Sequence, residues 1–301
     1  MLNCQELAQS ILVHVKSVVS QLPQQHRPCL AVVIVGDDQA SKIYVENKLK
    51  KCIEIGILCQ QFRLPPEVSS EELLDLINQL NNDDSVHGIL VQMPLPKHIP
   101  AQIVINAISP TKDVDGFSSQ NSGLLAQGLF EDAVIPCTPK GILYIIDFVL
   151  NKLPTDYSKN KYAGRVCVIL GRSDIVGKPL SIILTNLGAT VITCNKSTLY
   201  LDRFLALADI LVVAIGSAQS IELSTLKNHC LVIDVGINVV KDHAEYTVIE
   251  NYKRKICGDI SHNEDLIKQK SLIVTPVPKG VGPMTIAMLM SNVLSCYHKK
   301  K

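Results

Sequence analysis

RVCVILGRSDIVGKP, residues 165–179, is the stretch whose reading decides the fold. The apolar run RVCVIL reads as a buried strand. The turn after it, GRSDIVGKP, is glycine-rich and opens a helix, and such a turn lets backbone N–H groups approach a phosphate. Five residues separate Gly171 from Gly177, and Lys178 is followed by Pro179, where a Walker A loop needs Ser or Thr. With no hydroxyl for Mg²⁺, an NTPase is rejected. The spacing also departs from G-x-G-x-x-G, so on its own the turn fits a plain strand-to-helix connection as well as a dinucleotide site.

Its surroundings favour the dinucleotide. The next strand, ATVIT, ends in CNKST with no Asp or Glu. An acidic residue there would bind the adenosine ribose diol and repel a 2′-phosphate. Arg172 in the first turn and Lys196 after the second strand supply cations instead, so NADP is expected over NAD. Further strand-like runs, DILVVAI, CLVIDVG and SLIVTPVP, follow at a spacing that indicates a parallel sheet covered on both faces. GPMTIAMLMSNVLSCYH reads as a closing helix with Pro283 in its first turn, and HKKK as a solvated tail.

Upstream, helices and strands alternate. A helix is expected near residues 5–22, a strand near 29–36 and a helix over about 41–55, ending before Gly56. SSEELLDLINQLNND gives another helix, with Ser69 or Ser70 as cap and acidic residues in its first turn. The strand VHGILVQ is cut off by Pro94 and Pro96. This is an α/β pattern with a parallel sheet. Residues 109–138 carry few regular signals, which marks a functional stretch or a linker. In SKIYVENK, residues 41–48, Ser41, Tyr44 and Lys48 share one helix face. That face either presents a hydroxyl, a phenol and an amine to chemistry or lets Lys48 lie along a half-buried Tyr44.

The bulk properties set limits. A chain of 301 residues suggests two domains. Lys and Arg total 29 against 28 Asp and Glu, so no net charge draws nucleic acid or an anionic membrane. Aromatic content of 4% without Trp argues against stacking platforms for single strands. The ten cysteines form no C-x-x-C pair and no zinc-ligand spacing, so no metal is expected. Several sit in apolar runs as small core residues, which argues for a reducing compartment. The eight histidines form no H-E-x-x-H or triad-like set. MLNCQELAQSILVHVKSVVSQL reads as an amphipathic helix, not a signal or transit peptide. No apolar stretch reaches membrane-spanning length, and the cytoplasm is the expected location.

Several separated motifs agree on one family. VGDDQASKIYVENKLKKCIEIGI, GILVQMPLP, SPTKDVDGF, NSGLL, PCTPKGI, GRSDIVGKP, VIDVGIN, GDI and TPVPKGVGPMT run in order across residues 35–285. In these the chain resembles the bifunctional methylenetetrahydrofolate dehydrogenase/methenyltetrahydrofolate cyclohydrolase family, the FolD type. The resemblance implies an α/β protein of two lobes around a cleft. Residues 1–139 with 281–301 would form the tetrahydrofolate-binding catalytic domain, and 140–280 a Rossmann-like NADP-binding domain with a parallel sheet. The C-terminal helix would return to the first lobe. The implied activity is NADP-dependent oxidation of 5,10-methylenetetrahydrofolate to the methenyl form, then hydrolysis to 10-formyltetrahydrofolate. A homodimer acting on a small folate in one-carbon metabolism and purine supply is implied as well.

The resemblance also implies roles. Lys48 matches the catalytic lysine, Tyr44 a stacking tyrosine, Gln92 the lysine's hydrogen-bond partner and Asp115 the pterin-binding acid. The chemistry is consistent. A cationic methenyl substrate disfavours an ammonium beside it, so a neutral amine can act as base toward water. Tyr44 offers a flat face to that cation. Asp115 can accept hydrogen bonds from the ring's amino and N–H groups. Gly171, Arg172, Ser173, Gly177, Lys196 and Ile237 fall to the cofactor, and Pro278 and Gly282 to the substrate. Asp113 and Asp115 before Gly116 also fit a plain turn.

Two places depart from the family pattern. CNKST puts Asn195, Lys196 and Ser197 where His, Ser and a basic residue are usual, so the cation is displaced by one position. Lys279 replaces a usual glycine. If that backbone needs positive φ, Lys279 is strained by on the order of 1 kcal/mol; alternatively it reaches the anionic folate tail or the cofactor phosphates. Two rival readings are weighed as well. Short-chain dehydrogenases also use Tyr-x-x-x-Lys, but after the nucleotide turn, whereas here the pair precedes it. A non-catalytic NADP- or folate-binding regulator would have no need of Lys48 and Gln92.

Overall fold

A computed structural model describes residues 1–37, 39–154, 156–240, 248–249, 252–253 and 255–299, without the side chains of 39–44, 240, 248–249, 252–253 and 255. The elements in chain order are α1 (Cys4–Ser20), β1 (Cys29–Val35), α2 (Gln39–Ile55), β2 (Leu58–Leu64), α3 (Ser70–Asn82), β3 (Gly88–Val91), α4 (Ala101–Ala107), α5 (Ser119–Ala126) and α6 (Cys137–Val149). There follow β4 (Val166–Leu170), α7 (Gly177–Asn186), β5 (Thr190–Cys194), α8 (Leu201–Leu205), β6 (Ile210–Val213), β7 (Leu231–Asp234) and β8 (Asn238–Val240). The chain closes with β9 (Val248–Ile249), β10 (Tyr252–Lys253), β11 (Lys255–Cys257), α9 (Glu264–Gln269), β12 (Ile273–Val274) and α10 (Val281–Lys299). The α/β architecture with parallel sheets is as expected. Among the described residues no helix is long and apolar enough to cross a membrane.

The chain forms two compact units. One comprises residues 8–125, 129–137 and 286–301. Its three-stranded sheet has the order β2-β1-β3, parallel throughout. All seven residues of β1 are buried, because the strand is central and covered on both faces. A core of Val33, Leu73, Ile77, Ile89 and Val104 joins the sheet to α3 and α4. Of the two candidate caps of α3, Ser69 is the cap. Its hydroxyl accepts from Glu72 N at 3.1 Å while Glu72 returns a bond to Ser69 N, a capping box.

The other unit comprises residues 1–7, 126–128 and 138–285. Its five-stranded parallel sheet runs β12-β7-β6-β4-β5. Counted in chain order within that sheet, this is the doubly wound order 2-1-3-4-5. Such an order reverses between β4 and β6, and the crevice at the carboxyl ends of those two strands is where ligands bind in this architecture. The glycine turn follows β4. The sheet's core is aliphatic and includes Val168, Leu211, Val213, Val232 and Val274, all nearly or fully buried. No disulfide joins any of the ten cysteines, all of them among the described residues, and nine are buried.

Candidate active site

In the first unit the strand order 2-1-3 again places the reversal between β1 and β3. Gln92 directly follows β3, and its N–H donates to Val33 O of β1 at 2.9 Å. Lys48 stands on α2, the helix that follows β1. The two side chains meet: Lys48 Nζ donates to Gln92 Oε1 at 3.1 Å. Gln92 Nε2 donates to Met93 O at 2.7 Å, which fixes the amide so that its oxygen faces the amine. The partnership expected between these residues is therefore present, and both side chains are half-buried. Tyr44 lies one turn earlier on α2, and its side chain falls outside the described residues.

Asp115 sits on the irregular segment that runs beside β3. Ile89 N donates to Lys112 O at 2.8 Å, so Asp113 forms a parallel bridge with Ile89. Asp113 is the turn residue. Its Oδ1 accepts from Gly116 N at 2.9 Å and Phe117 N at 3.4 Å, and its Oδ2 from Ser118 N at 2.8 Å and Asn121 Nδ2 at 2.9 Å. Gly116 has φ +73°, and a Cβ there would overlap Val134 O, so the position requires glycine. With Asp113 holding the backbone, Asp115 is left for other partners. Its carboxyl is pushed up to about 6 by burial, opposed chiefly by the charge of Lys48, and raised further by the Asp113 charge. Cys137 Sγ lies 3.9 Å from Asp115 Oδ1.

The stretch 109–138, expected to lack regular structure, contains α5 and is tied down by buried side-chain amides. Asn121 Oδ1 accepts from Val134 N at 2.9 Å. Asn292, on α10 and 1% exposed, donates through Nδ2 to Val114 O and Ile135 O, each at 2.9 Å. The sequence reading missed Asn292. Its only signal was a polar amide among the mostly apolar residues of IAMLMSNVL.

In the second unit the glycine turn is a steric cradle. Gly171 has φ +118°, and a Cβ there would overlap Ala214 O at the end of β6. A Cβ on Gly177 would overlap Gly171 O. The turn thus lies against the end of β6, at the point where the strand order reverses. No side chain caps α7. Ser173 instead braces the turn, its Oγ accepting from Val176 N at 3.3 Å and its carbonyl from Lys178 N at 3.0 Å. The close backbone approach that the two glycines permit fits a dinucleotide pyrophosphate.

Leu170 of β4 pairs with Cys194 of β5. Arg172 and Lys196 therefore each stand two residues past the same rung of adjacent strands, and both are exposed. In CNKST, Asn195 is the turn-maker: its Oδ1 accepts from Ser197 N and its N–H donates to Thr198 Oγ1, both at 2.9 Å. Lys178, by contrast, is taken up by Asp174 at 2.5 Å. Ile237 follows β7 and is 49% exposed, and a Cβ on Gly282 would lie 4.0 Å from its Cδ1. Pro278 precedes α10. Lys279 beside it is exposed and has φ +80°, so the strained alternative raised for this position is the observed backbone.

A lysine–glutamine pair at one strand-order reversal and a glycine-lined crevice at another define a two-domain dinucleotide-binding α/β enzyme. Residues 2–115 match the catalytic domain of tetrahydrofolate dehydrogenase/cyclohydrolase, and residues 136–301 match its NAD(P)-binding domain. The chain belongs to the tetrahydrofolate dehydrogenase/cyclohydrolase family. It is 42% identical to the bifunctional protein FolD of Ehrlichia ruminantium over 290 residues, covering 96% of this chain and 90% of that protein. The crystal structure of the bifunctional FolD from Campylobacter jejuni is similar at TM-score 0.86 and 37% identity, covering 99% of this chain and 98% of that one. The Trypanosoma brucei enzyme, solved with NADP cofactor and an inhibitor, gives TM-score 0.87 at 28% identity, covering 100% and 97%.

Proposed function

We propose that this chain is a bifunctional one-carbon folate enzyme. It oxidises 5,10-methylenetetrahydrofolate to the methenyl cation with NADP and hydrolyses that cation to 10-formyltetrahydrofolate. The observation that carries this reading is the Lys48–Gln92 pair at 3.1 Å, with the Asp115 carboxyl in its field.

In hydrolysis, water adds through oxygen to the electrophilic one-carbon bridge. Lys48 takes the water's proton. The hydroxyl of the resulting adduct then gives up its remaining proton to solvent as the bond from that carbon to N5 breaks, N5 takes back the proton held by Lys48, and the formyl group is left on N10. A cationic substrate disfavours a second positive charge at the amine, so the reacting form of Lys48 is neutral. Gln92 Oε1 orients the amine's lone pair by accepting one of its N–H bonds. Asp115 accepts from the pterin's amino and N–H groups, and Tyr44 is assigned the flat face toward the ring. Pro278 and Gly282 are assigned to the folate.

Gly171, Ser173 and Gly177 hold the pyrophosphate, Arg172 and Lys196 the 2′-phosphate, and Ile237 the nicotinamide end. When bound, NADP accepts the hydride. Residues 1–139 with 281–301 are assigned to folate and 140–280 to the cofactor. Support for this comes from the family matches and from Asn292, which ties α10 to Val114 and Ile135. The enzyme acts in the cytoplasm as a homodimer and supplies formyl groups for purine synthesis. Light scattering at twice the 33.0 kDa chain mass tests the dimer. Absorbance of methenyltetrahydrofolate tests the activity: its decay with protein alone reports hydrolysis, and its appearance from the methylene form with NADP reports oxidation. No turnover in either direction contradicts the proposal.

A further inference from the structure

Two buried carboxylates that the mechanism does not use lie beside the cofactor crevice. Asp234 ends β7 and is 1% exposed; Asp259 follows β11 and is fully buried. Asp259 Oδ2 accepts from Ile215 N at 2.8 Å and Gly216 N at 3.0 Å. Its Oδ1 accepts from Ser217 N at 2.9 Å and Asn238 Nδ2 at 2.8 Å. Three consecutive backbone N–H groups thus wrap one carboxylate, an anion nest filled from within the chain.

Asp234 holds Asp259 in turn. Its Oδ1 accepts from Asp259 N and Gly236 N, and its Oδ2 from Ile260 N, all at 3.0 Å. Its own N–H donates to Thr275 Oγ1 at 2.9 Å. A Cβ on Gly258 would overlap the Asp234 carboxyl, and one on Gly236 the Asp259 carboxyl. The motifs VIDVGIN and GDI are therefore two halves of one brace: each supplies a carboxylate and the glycine that makes room for the other's.

The brace acts on one place. The turn 215–217 follows β6, whose end Gly171 backs onto through Ala214. In this architecture the loops that follow the two strands at the reversal, here β4 and β6, flank the ligand crevice, which puts the turn 215–217 on the side supplied by β6. Gly216 has φ +65° and nothing lies within 4 Å of where its Cβ would be, so this side of the turn is open while the Asp259 carboxylate holds its N–H groups from behind and Ile215 packs on the core.

We propose that Asp259 is a positioning residue for the nicotinamide cofactor, holding the turn 215–217 as the second wall of the dinucleotide crevice through Ile215, Gly216 and Ser217. It touches neither substrate nor cofactor. This rests on the reading of the chain as an NADP-dependent dehydrogenase.

The test measures both reactions of the full-length protein, with KM for NADP, in Asp259→Asn. An amide turns one N–H pair toward backbone donors, so the wall loosens. KM for NADP is expected to rise about tenfold or more, and the dehydrogenase-to-hydrolase ratio to fall by a similar factor. A defect of folding alone would lower both activities together and leave KM unchanged; that result, or a parent-like KM, overturns the proposal. Gly216→Ala decides the case if Asp259→Asn is recovered unfolded, since its Cβ meets nothing and strains only the turn. A raised KM for NADP supports the brace and a parent-like value overturns it. Absence of dehydrogenase activity in the parent would instead refute the functional reading.

Discussion

Lys48 Nζ stands 3.1 Å from Gln92 Oε1, and the same amide is locked at its other end by Met93 O at 2.7 Å. The amine is thereby given a neutral acceptor and not a carboxylate. A carboxylate at this distance would favour the ammonium, which cannot take a proton from water.

Gln92→Glu keeps the shape and adds that charge. Hydrolysis of methenyltetrahydrofolate should fall about a hundredfold at neutral pH, within the range general-base catalysis supplies. Stopped-flow absorbance measures it. A rate within a factor of about two of the parent would mean that Lys48 is not the base.

Asp115 sets an acid limb. Burial raises its carboxyl to about 6, so above that pH it is ionised and accepts from the pterin, and below it the site is protonated. The free-enzyme kcat/KM should therefore decline as pH falls through about 6. Asp115→Asn should abolish that limb along with most activity. The sign for stability is opposite: a carboxyl raised in the folded state favours folding least when ionised, so at pH 7 the Asn variant should melt higher than the parent. A calorimetric Tm at that pH checks this.

Lys279 has φ +80° on an exposed turn, a conformation glycine adopts without penalty. Lys279→Gly should stabilise the fold by about 0.5–1 kcal/mol, read from denaturant unfolding. The folate KM of the same variant decides whether the ammonium also reaches the anionic tail: a rise supports that role, and an unchanged or lower value rejects it.

Arg172 and Lys196 flank one rung of β4 and β5, with no carboxylate on CNKST to bind a ribose diol. Lys196→Ala should lower kcat/KM for NADP about tenfold and leave that for NAD nearly unchanged. Equal losses with both cofactors would remove the displaced cation from the 2′-phosphate site.

Much of this was legible in the sequence, for physical reasons. β1, β4, β6 and β7 are buried on both faces and so appear as apolar runs, interrupted only by Asp234 at the end of β7. β2 was missed because LCQQFRL is an exposed sheet edge whose Gln60, Gln61 and Arg63 break the pattern. The seven-residue α4 and the eight-residue α5 are too short for a helical period to register. The roles given to Lys48, Gln92 and Asp115 come from the family motifs; spacing alone marks only the helix face shared by Tyr44 and Lys48. Asn121, Asn292 and Asp259 were not found, because most of their partners are backbone groups made neighbours only by the fold. Asn292 reaches Val114 across 178 residues of chain.

The central claim is that the Lys48 amine is the base of hydrolysis, and Lys48→Met tests it most directly. Decay of methenyltetrahydrofolate absorbance with this variant, beside its NADP affinity by fluorescence titration, separates chemistry from folding. The account predicts loss of enzymic hydrolysis with NADP binding retained. Hydrolysis at the parent rate would contradict it.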